Sequence, residues 1–209
     1  MTSLTLDFAH RFVPATKLAL PVLLLLHGTG GDENDLIELG QTLLPGAALL
    51  SPRGKVLENG RPRFFRRLSE GVFDIDDLKF RAIELAEFVT TALTHYSIDG
   101  SPVVAVGYSN GANIASALML ARPNLLAGCC LMRPMVPYQP EQLPDLSAKK
   151  ICILSGLDDH TMPEGEPEKV KLLFESTHAE TLLHQSNAGH GLTSQDIRVA
   201  QAWLANSRF

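Results

Sequence analysis

A serine between two glycines is the residue pattern in this sequence with the clearest chemical use. Residues 103–106 are apolar and mostly β-branched, and they lead into Gly107-Tyr108-Ser109-Asn110-Gly111 and then into small residues that suit a helix. A Gly-x-Ser-x-Gly turn between a strand and a helix lifts the serine hydroxyl clear of the sheet and points a helix N-terminus at a developing oxyanion. The alternative is a glycine-rich turn whose serine only caps the helix.

A serine hydroxyl becomes an effective nucleophile only when a base removes its proton and a carboxylate orients that base. In a sheet that carries such a turn, the acid and then the histidine follow the serine along the chain. Asp158 and Asp159 come just after one predicted strand, and His190 follows another, between two glycines. The sequence therefore predicts a catalytic set of Ser109, His190 and one of the two aspartates.

Six other histidines compete for the role of base. Three lie away from the ends of predicted strands, one lies within a strand and one adjoins the acid: His10, His95 and His178, then His184, then His160. We interpret His27 as a structural anchor of its own loop.

An oxyanion hole needs two backbone N–H groups that point at the same oxygen. The residue after the nucleophile supplies one, here Asn110, and the loop after an early central strand supplies the other, here Thr29. Asp32 and Glu33, in the same loop, are interpreted as residues at a helix start.

The surrounding pattern predicts the elements that position these residues. Residues 22–26 are apolar on both faces, which is typical of a central parallel strand covered by helices on both sides. Further buried strands are predicted at residues 47–50, 127–132 and 150–154, and another strand at 181–184. Helices are predicted from residue 76, after the serine, at 164–176 and from 193. Strands that alternate with helices predict an α/β fold with a mostly parallel sheet.

The sequence also predicts an edge strand and the N-caps of two helices. The alternation of Leu4, Leu6, Phe8 and Phe12 predicts a half-buried strand near a sheet edge. The predicted N-caps are Asp32 or Asn34 for the helix after the first loop, and Asp74 or Asp76 for the next.

Residues 53–73 are predicted to form a long irregular loop that borders a pocket. Arginines that alternate with aromatics could suggest nucleic-acid binding, but the chain is acidic overall and phosphate binding needs a broad basic face. Our candidates for an apolar acyl or aryl pocket are Phe64, Phe65, Met135 and Val136. The alternative for these four side chains is ordinary core packing.

Composition narrows the class of protein. The 209 residues carry a net charge of −5, which disfavours nucleic acid and anionic membranes as partners. We expect one domain over residues 1–209, without a transmembrane segment, a secretory signal or a separate lid domain. Cys129, Cys130 and Cys152 fall in predicted buried strands, so we interpret them as core residues of a reduced, cytoplasmic protein. The alternative is that one of these cysteines is catalytic.

The chain resembles the small carboxylesterase/phospholipase family of α/β hydrolases, which includes dienelactone-hydrolase-like proteins and acyl-protein thioesterases. The matching segments span nearly the whole chain from the first central strand onward: residues 26–36, 51–54, 63–67, 107–113, 133–137 and 189–193. The resemblance implies an α/β-hydrolase fold and a serine esterase without a metal or organic cofactor.

The family pattern Gly-x-x-Asp-x-x-x-Pro bears on the acid. Gly156 and Pro163 then select Asp159, with Asp158 as the alternative, and His160 replaces a proline that often follows this acid. Dienelactone hydrolases proper use a cysteine nucleophile, so Ser109 favours plain ester hydrolysis here.

The expected function is therefore hydrolysis of small soluble carboxylic esters through an acyl-enzyme on Ser109. A thioesterase or acyltransferase with the same residues, and a non-catalytic binding protein on this fold, are the alternatives. The expected partner is a small-molecule ester, and a homodimer is one of the assemblies left open.

Overall fold

The computed structural model describes residues 6–209, and a seven-stranded sheet forms its centre. The strands in chain order are β1 (His10–Val13), β2 (Val22–Leu26), β3 (Leu49–Pro52), β4 (Val56–Glu58), β5 (Arg61–Arg63), β6 (Arg67–Ser69), β7 (Val72–Phe73), β8 (Val103–Tyr108), β9 (Gly128–Met132), β10 (Lys150–Gly156) and β11 (Glu180–Ser186). The helices are α1 (Ile37–Leu43), α2 (Ile75–His95), α3 (Asn110–Ala121), α4 (Glu166–Glu175) and α5 (Ser194–Asn206).

The central sheet has the strand order β1-β3-β2-β8-β9-β10-β11, and of these described strands only β1 runs antiparallel to its neighbour. The alternating side chains of β2 are buried on both faces. Leu24 and Leu26 pack into the core formed with α2, α3 and α4, whereas Leu23 and Leu25 pack into the core formed with α1 and α5. This arrangement confirms the predicted α/β-hydrolase fold with helices on both faces.

Because β2, β8, β10 and β11 are parallel, the loops that follow them emerge at the same edge of the sheet. These four loops carry Thr29, Ser109, Asp159 and His190, respectively. The topology thus brings together residues that lie up to 161 positions apart in the chain.

Of the two predicted helix N-caps, the structure agrees with one and contradicts the other. Asp74 caps α2, since its carboxylate accepts a hydrogen bond from the Asp77 N–H at 3.1 Å. The prediction that Asp32 or Asn34 caps α1 is wrong, because the helix begins at Ile37 after an N-cap residue without a capping side chain. The Asp32 carboxylate instead accepts the Asn34 N–H at 2.7 Å, closing a local turn.

The N-terminal edge strand is shorter than predicted. Leu4 lies outside the described residues, and β1 begins only at His10, paired antiparallel with β3 at the sheet edge. Phe8 is buried in the core, and Phe12 stacks on Tyr96 with ring centroids 3.9 Å apart.

The prediction of an irregular stretch over residues 53–73 is wrong. This segment forms two antiparallel hairpins, β4–β5 and β6–β7. Asn59 and Gly60, which connect β4 to β5, both have positive φ, as a two-residue type I′ turn requires. Asn-Gly is itself a hairpin signal, so the sequence contained the information that would have predicted the first hairpin.

The three cysteines are buried and free, as predicted for core residues. Cys130 and Cys152 lie side by side on β9 and β10. Burial raises the pKa of the Cys129 thiol, which disfavours the reactive thiolate. Among the described residues, no helix is both long enough and apolar enough to cross a membrane.

Candidate active site

Ser109 lies on the turn between β8 and α3 in a strained backbone conformation, with φ 53° and ψ −114°. Its side chain makes no capping hydrogen bond to α3, which argues against the interpretation as a helix cap. A side chain at Gly107 would overlap the Gly111 carbonyl, and one at Gly111 would overlap the Leu26 carbonyl. Both glycines are therefore required by the close approach of backbone on either side of the serine.

The structure brings Ser109, His190 and Asp159 into one hydrogen-bonded chain. Ser109 Oγ lies 3.0 Å from His190 Nε2, and His190 Nδ1 lies 2.7 Å from Asp159 Oδ2. Because an ionised carboxylate only accepts hydrogen bonds, Nδ1 carries a proton and Nε2 of the neutral ring is free to accept from the serine hydroxyl. This is the tautomer that a general base for Ser109 needs.

Of the two adjacent aspartates, only Asp159 faces the histidine. Its Oδ1 accepts hydrogen bonds from the Thr161 hydroxyl at 2.6 Å and from the Thr161 N–H at 3.1 Å. Burial alone would raise the pKa of Asp159, but the hydrogen bonds from Thr161 and His190 outweigh it and lower the pKa below its usual value. Asp158 is exposed.

His27 is buried beneath the loop that carries Thr29. Its Nε2 accepts the Gly54 N–H at 3.0 Å, so the proton of the neutral ring sits on Nδ1 and is donated to the Gly28 carbonyl at 2.7 Å. Burial lowers the pKa of His27 and keeps the ring neutral. These contacts agree with the interpretation of His27 as an anchor of the loop.

The two predicted oxyanion donors, Thr29 and Asn110, both line the cavity next to Ser109. Within residues 6–209, neither the Thr29 nor the Asn110 backbone N–H finds an acceptor. Asn110 is also the first residue of α3, where backbone N–H groups carry a positive partial charge. An oxyanion near Ser109 would supply the acceptor that both groups lack.

The Asn110 and Asn113 side chains tie α3 to the cavity walls, a role that the sequence analysis did not identify. Asn110 Oδ1 accepts the Phe64 N–H at 2.7 Å, and Asn113 Oδ1 accepts the Met135 N–H at 2.8 Å. Both asparagines are buried. They hold two loops in place around the nucleophile.

The cavity at Ser109 has a volume of about 350 Å³. Met135 lines it as predicted, but Phe64 and Phe65 do not, because both rings are buried in the core cluster, at 3% and 0% exposure. Val136 packs against that same core. The remaining residues that line the cavity are largely polar or charged: Gly28, Thr29, Arg61, Arg63, Arg67, Glu70, Gly71, Phe73, Tyr108, Asn110, Asn113, Arg133, Thr161, Met162 and His190.

Arg133 is a further residue of this site that the sequence analysis did not single out. It follows β9, is 1% exposed, and donates to the Gly189 carbonyl at 3.1 Å and the Gly191 carbonyl at 2.7 Å. These two carbonyls flank His190. A charged residue directly after a buried apolar strand was the available signal, because arginine is rarely buried without a specific partner.

No protein-family model matches the chain. MhqD of Bacillus subtilis (strain 168), which is named as a hydrolase, is 44% identical over 182 residues, or 87% of this chain and 91% of that protein. The crystal structure of the Bacillus cereus carboxylesterase is 45% identical, with a TM-score of 0.92 over 95% of this chain and 94% of that one. The structure of YahD with malic acid is 27% identical, with a TM-score of 0.90 over 96% of this chain and 100% of that one.

Proposed function

We propose that this chain, which belongs to the carboxylesterase/phospholipase-like family of α/β hydrolases, hydrolyses small carboxylic esters with Ser109 as its nucleophile. The observation that carries the proposal is the hydrogen-bonded chain from Ser109 through His190 to Asp159 at the cavity. The names of the relatives, a hydrolase and a carboxylesterase, support the same class of enzyme.

In the first half of the proposed reaction, Ser109 Oγ attacks the ester carbonyl carbon while His190 Nε2 takes the hydroxyl proton. Asp159 holds the ring and stabilises the imidazolium that forms. The carbonyl oxygen becomes an oxyanion that accepts hydrogen bonds from the Thr29 and Asn110 N–H groups. The tetrahedral intermediate collapses, the C–O bond to the alcohol breaks, and His190 donates the proton to the departing alcohol.

In the second half, water attacks the acyl-enzyme and His190 Nε2 takes a proton from that water. A second oxyanion forms in the same position, the bond to Ser109 breaks as His190 Nε2 returns the proton to Ser109 Oγ, and the carboxylic acid leaves. Each step uses only protein groups and water.

The size of the cavity favours small esters. Its volume of about 350 Å³ is near the lower end of the range for small-molecule sites. The association of YahD with malic acid, a small molecule, agrees with this choice.

The proposal is tested by hydrolysis of p-nitrophenyl esters of increasing acyl length. We expect wild type to favour short chains and Ser109→Ala to lose at least about a thousandfold in kcat/KM, since truncating the nucleophile of such a triad removes most of the rate enhancement. Ser147→Ala, at an exposed serine outside the cavity, is the matched control. Equal rates in wild type and Ser109→Ala would reject Ser109 as nucleophile, and activity on thioesters alone would favour the thioesterase alternative.

A further inference from the structure

Three arginines line one wall of the cavity at Ser109: Arg61 and Arg63 on β5, and Arg67 at the start of β6. Arg61 and Arg63 are two residues apart in a strand, so their side chains leave the same face of the hairpin. The turn at Asn59 and Gly60 that forms this hairpin therefore determines that both arginines face the cavity.

The carboxylates nearby do not balance these charges. Glu58 forms ion pairs with two of the arginines, and its carboxylate oxygens lie 2.8 Å from Arg67 Nε and 3.5 Å from Arg63 Nη1. Within residues 6–209, Arg61 has no ion-pair partner, and Glu70, also on the cavity wall, forms none either. The fourth arginine of the cavity, Arg133, is paired with Asp196. The wall formed by Arg61, Arg63 and Arg67 keeps an excess of positive charge.

Mutual repulsion among these guanidinium groups supports the same conclusion. Burial lowers the pKa of Arg63, the charge of Arg67 lowers it further, and Glu58 only partly offsets the two effects. Arg63 is 3% exposed, so little water screens its charge. An anion at this wall would relieve the repulsion.

The arginine wall adjoins the reacting centre directly. Arg63 Nη1 donates to Thr29 Oγ1 at 2.7 Å, and Arg61 Nη2 donates to the Thr29 carbonyl at 3.3 Å. Thr29 is the residue whose N–H we place at the oxyanion. An ester bound at Ser109 in a cavity of about 350 Å³ would therefore have its other end close to these arginines.

We infer that the substrate is an ester that also carries a carboxylate. Arg61 and Arg67 bind this carboxylate at the cavity rim, and buried Arg63 holds the arginine wall in place. The planar guanidinium group matches the two oxygens of a carboxylate. This inference rests on the proposed function, since it names the class of ester that Ser109 attacks.

The test compares charged esters with neutral counterparts. One pair carries the carboxylate on the alcohol side, 4-acetoxybenzoate against methyl 4-acetoxybenzoate, and the other carries it on the acyl side, monomethyl adipate against methyl hexanoate. In wild type we expect a higher kcat/KM for the charged member of at least one pair at low ionic strength. We expect this preference to shrink as added salt screens the charges.

Variants link the preference to the arginines. Arg61→Gln and Arg67→Gln should each lower the charged-to-neutral ratio of kcat/KM by about tenfold, because each removes a charged hydrogen-bond donor. Glu58→Gln should raise the ratio, since it removes the carboxylate that occupies Arg67. Arg198→Gln, which makes the same charge change at an exposed position on α5, is the matched control and should leave the ratio unchanged.

The inference and the proposed function can fail separately. If Ser109-dependent hydrolysis persists but the ratio ignores Arg61→Gln, Arg67→Gln and Glu58→Gln, the carboxylate site is rejected and the esterase stands. If no ester is hydrolysed, the esterase fails, and calorimetric binding of 4-hydroxybenzoate then decides the site. Binding that weakens in Arg61→Gln and Arg67→Gln supports it, and binding that is absent or unchanged rejects it.

Discussion

Arg133 Nη2 and Asp196 Oδ2 form an ion pair 2.9 Å apart, and both side chains are completely buried. Asp196 also forms the capping box of α5, because its carboxylate accepts the Thr193 N–H at 2.8 Å. The same Arg133 guanidinium binds the carbonyls on either side of His190. The pair therefore joins the end of β9, the histidine loop and the start of α5.

We expect Arg133→Met to lower both stability and kcat, since it leaves Asp196 buried without its partner and frees the His190 loop. Breaking a buried pair from one side costs about 3–5 kcal/mol. Arg133→Lys keeps the charge but loses the planar fork, so we expect it to retain more stability than Arg133→Met and still to lose kcat. Denaturant unfolding and steady-state kinetics measure the two effects. Wild-type kcat in a folded Arg133→Lys protein would contradict a role in positioning His190.

The choice of acid is tested at two adjacent positions. Asp159→Asn should lower kcat by about 10⁴-fold, because an amide at this place favours the wrong tautomer of His190. Asp158→Asn removes the same charge from the exposed neighbour and should have little effect on kcat. The lowered pKa of Asp159 predicts that its carboxylate stays ionised throughout the neutral range. A reversal of the two effects would make Asp158 the acid.

His27 predicts how stability depends on pH. Its pKa is lowered in the folded protein by burial, from an ordinary value of 6.5, so below that pH the unfolded chain binds the extra proton more readily. The stability that neutral His27 contributes is present above pH 6.5 and is lost as the pH falls towards its folded pKa. Denaturant unfolding at pH 8 and pH 5.5 should show a loss in wild type.

The control for this prediction is His27→Gln compared with a change at an exposed histidine. The loss between pH 8 and pH 5.5 should be smaller in His27→Gln than in wild type, even though the variant is less stable at both. His178→Gln, at an exposed position, should behave as wild type. Identical losses in wild type and His27→Gln would show that other groups control the pH dependence.

Gly111→Ala tests the packing of the serine turn. Its methyl group would overlap the Leu26 carbonyl, so we expect a loss of at least about 1–3 kcal/mol in the free energy of unfolding and a fall in activity. Gly100→Ala adds the same methyl group where no atom beyond the two adjoining residues lies within 4 Å, and it should cost far less. Equal stability in the two variants would mean that the turn relaxes around the added methyl.

The sequence by itself determined the parts of this protein that depend on local pattern. Residues 22–26 are apolar at every position, which is typical of a strand covered on both faces, and the structure places helices on both sides of β2. The Gly-x-Ser-x-Gly pattern likewise predicted the strand, turn and helix at Ser109. The Asn59-Gly60 hairpin was also predictable, since its signal is a dipeptide with positive φ at both positions.

Only the tertiary structure decided which side chains face the cavity. Phe64 follows Arg63 directly where β5 ends, yet its ring enters the core and the Arg63 guanidinium joins the cavity wall, because the chain changes direction after the strand. The choice between Asp158 and Asp159 depends in the same way on which carboxylate turns towards His190. Arg133 acquires its partners from residues more than 50 positions away, and such pairings arise only when β9, the histidine loop and α5 pack together.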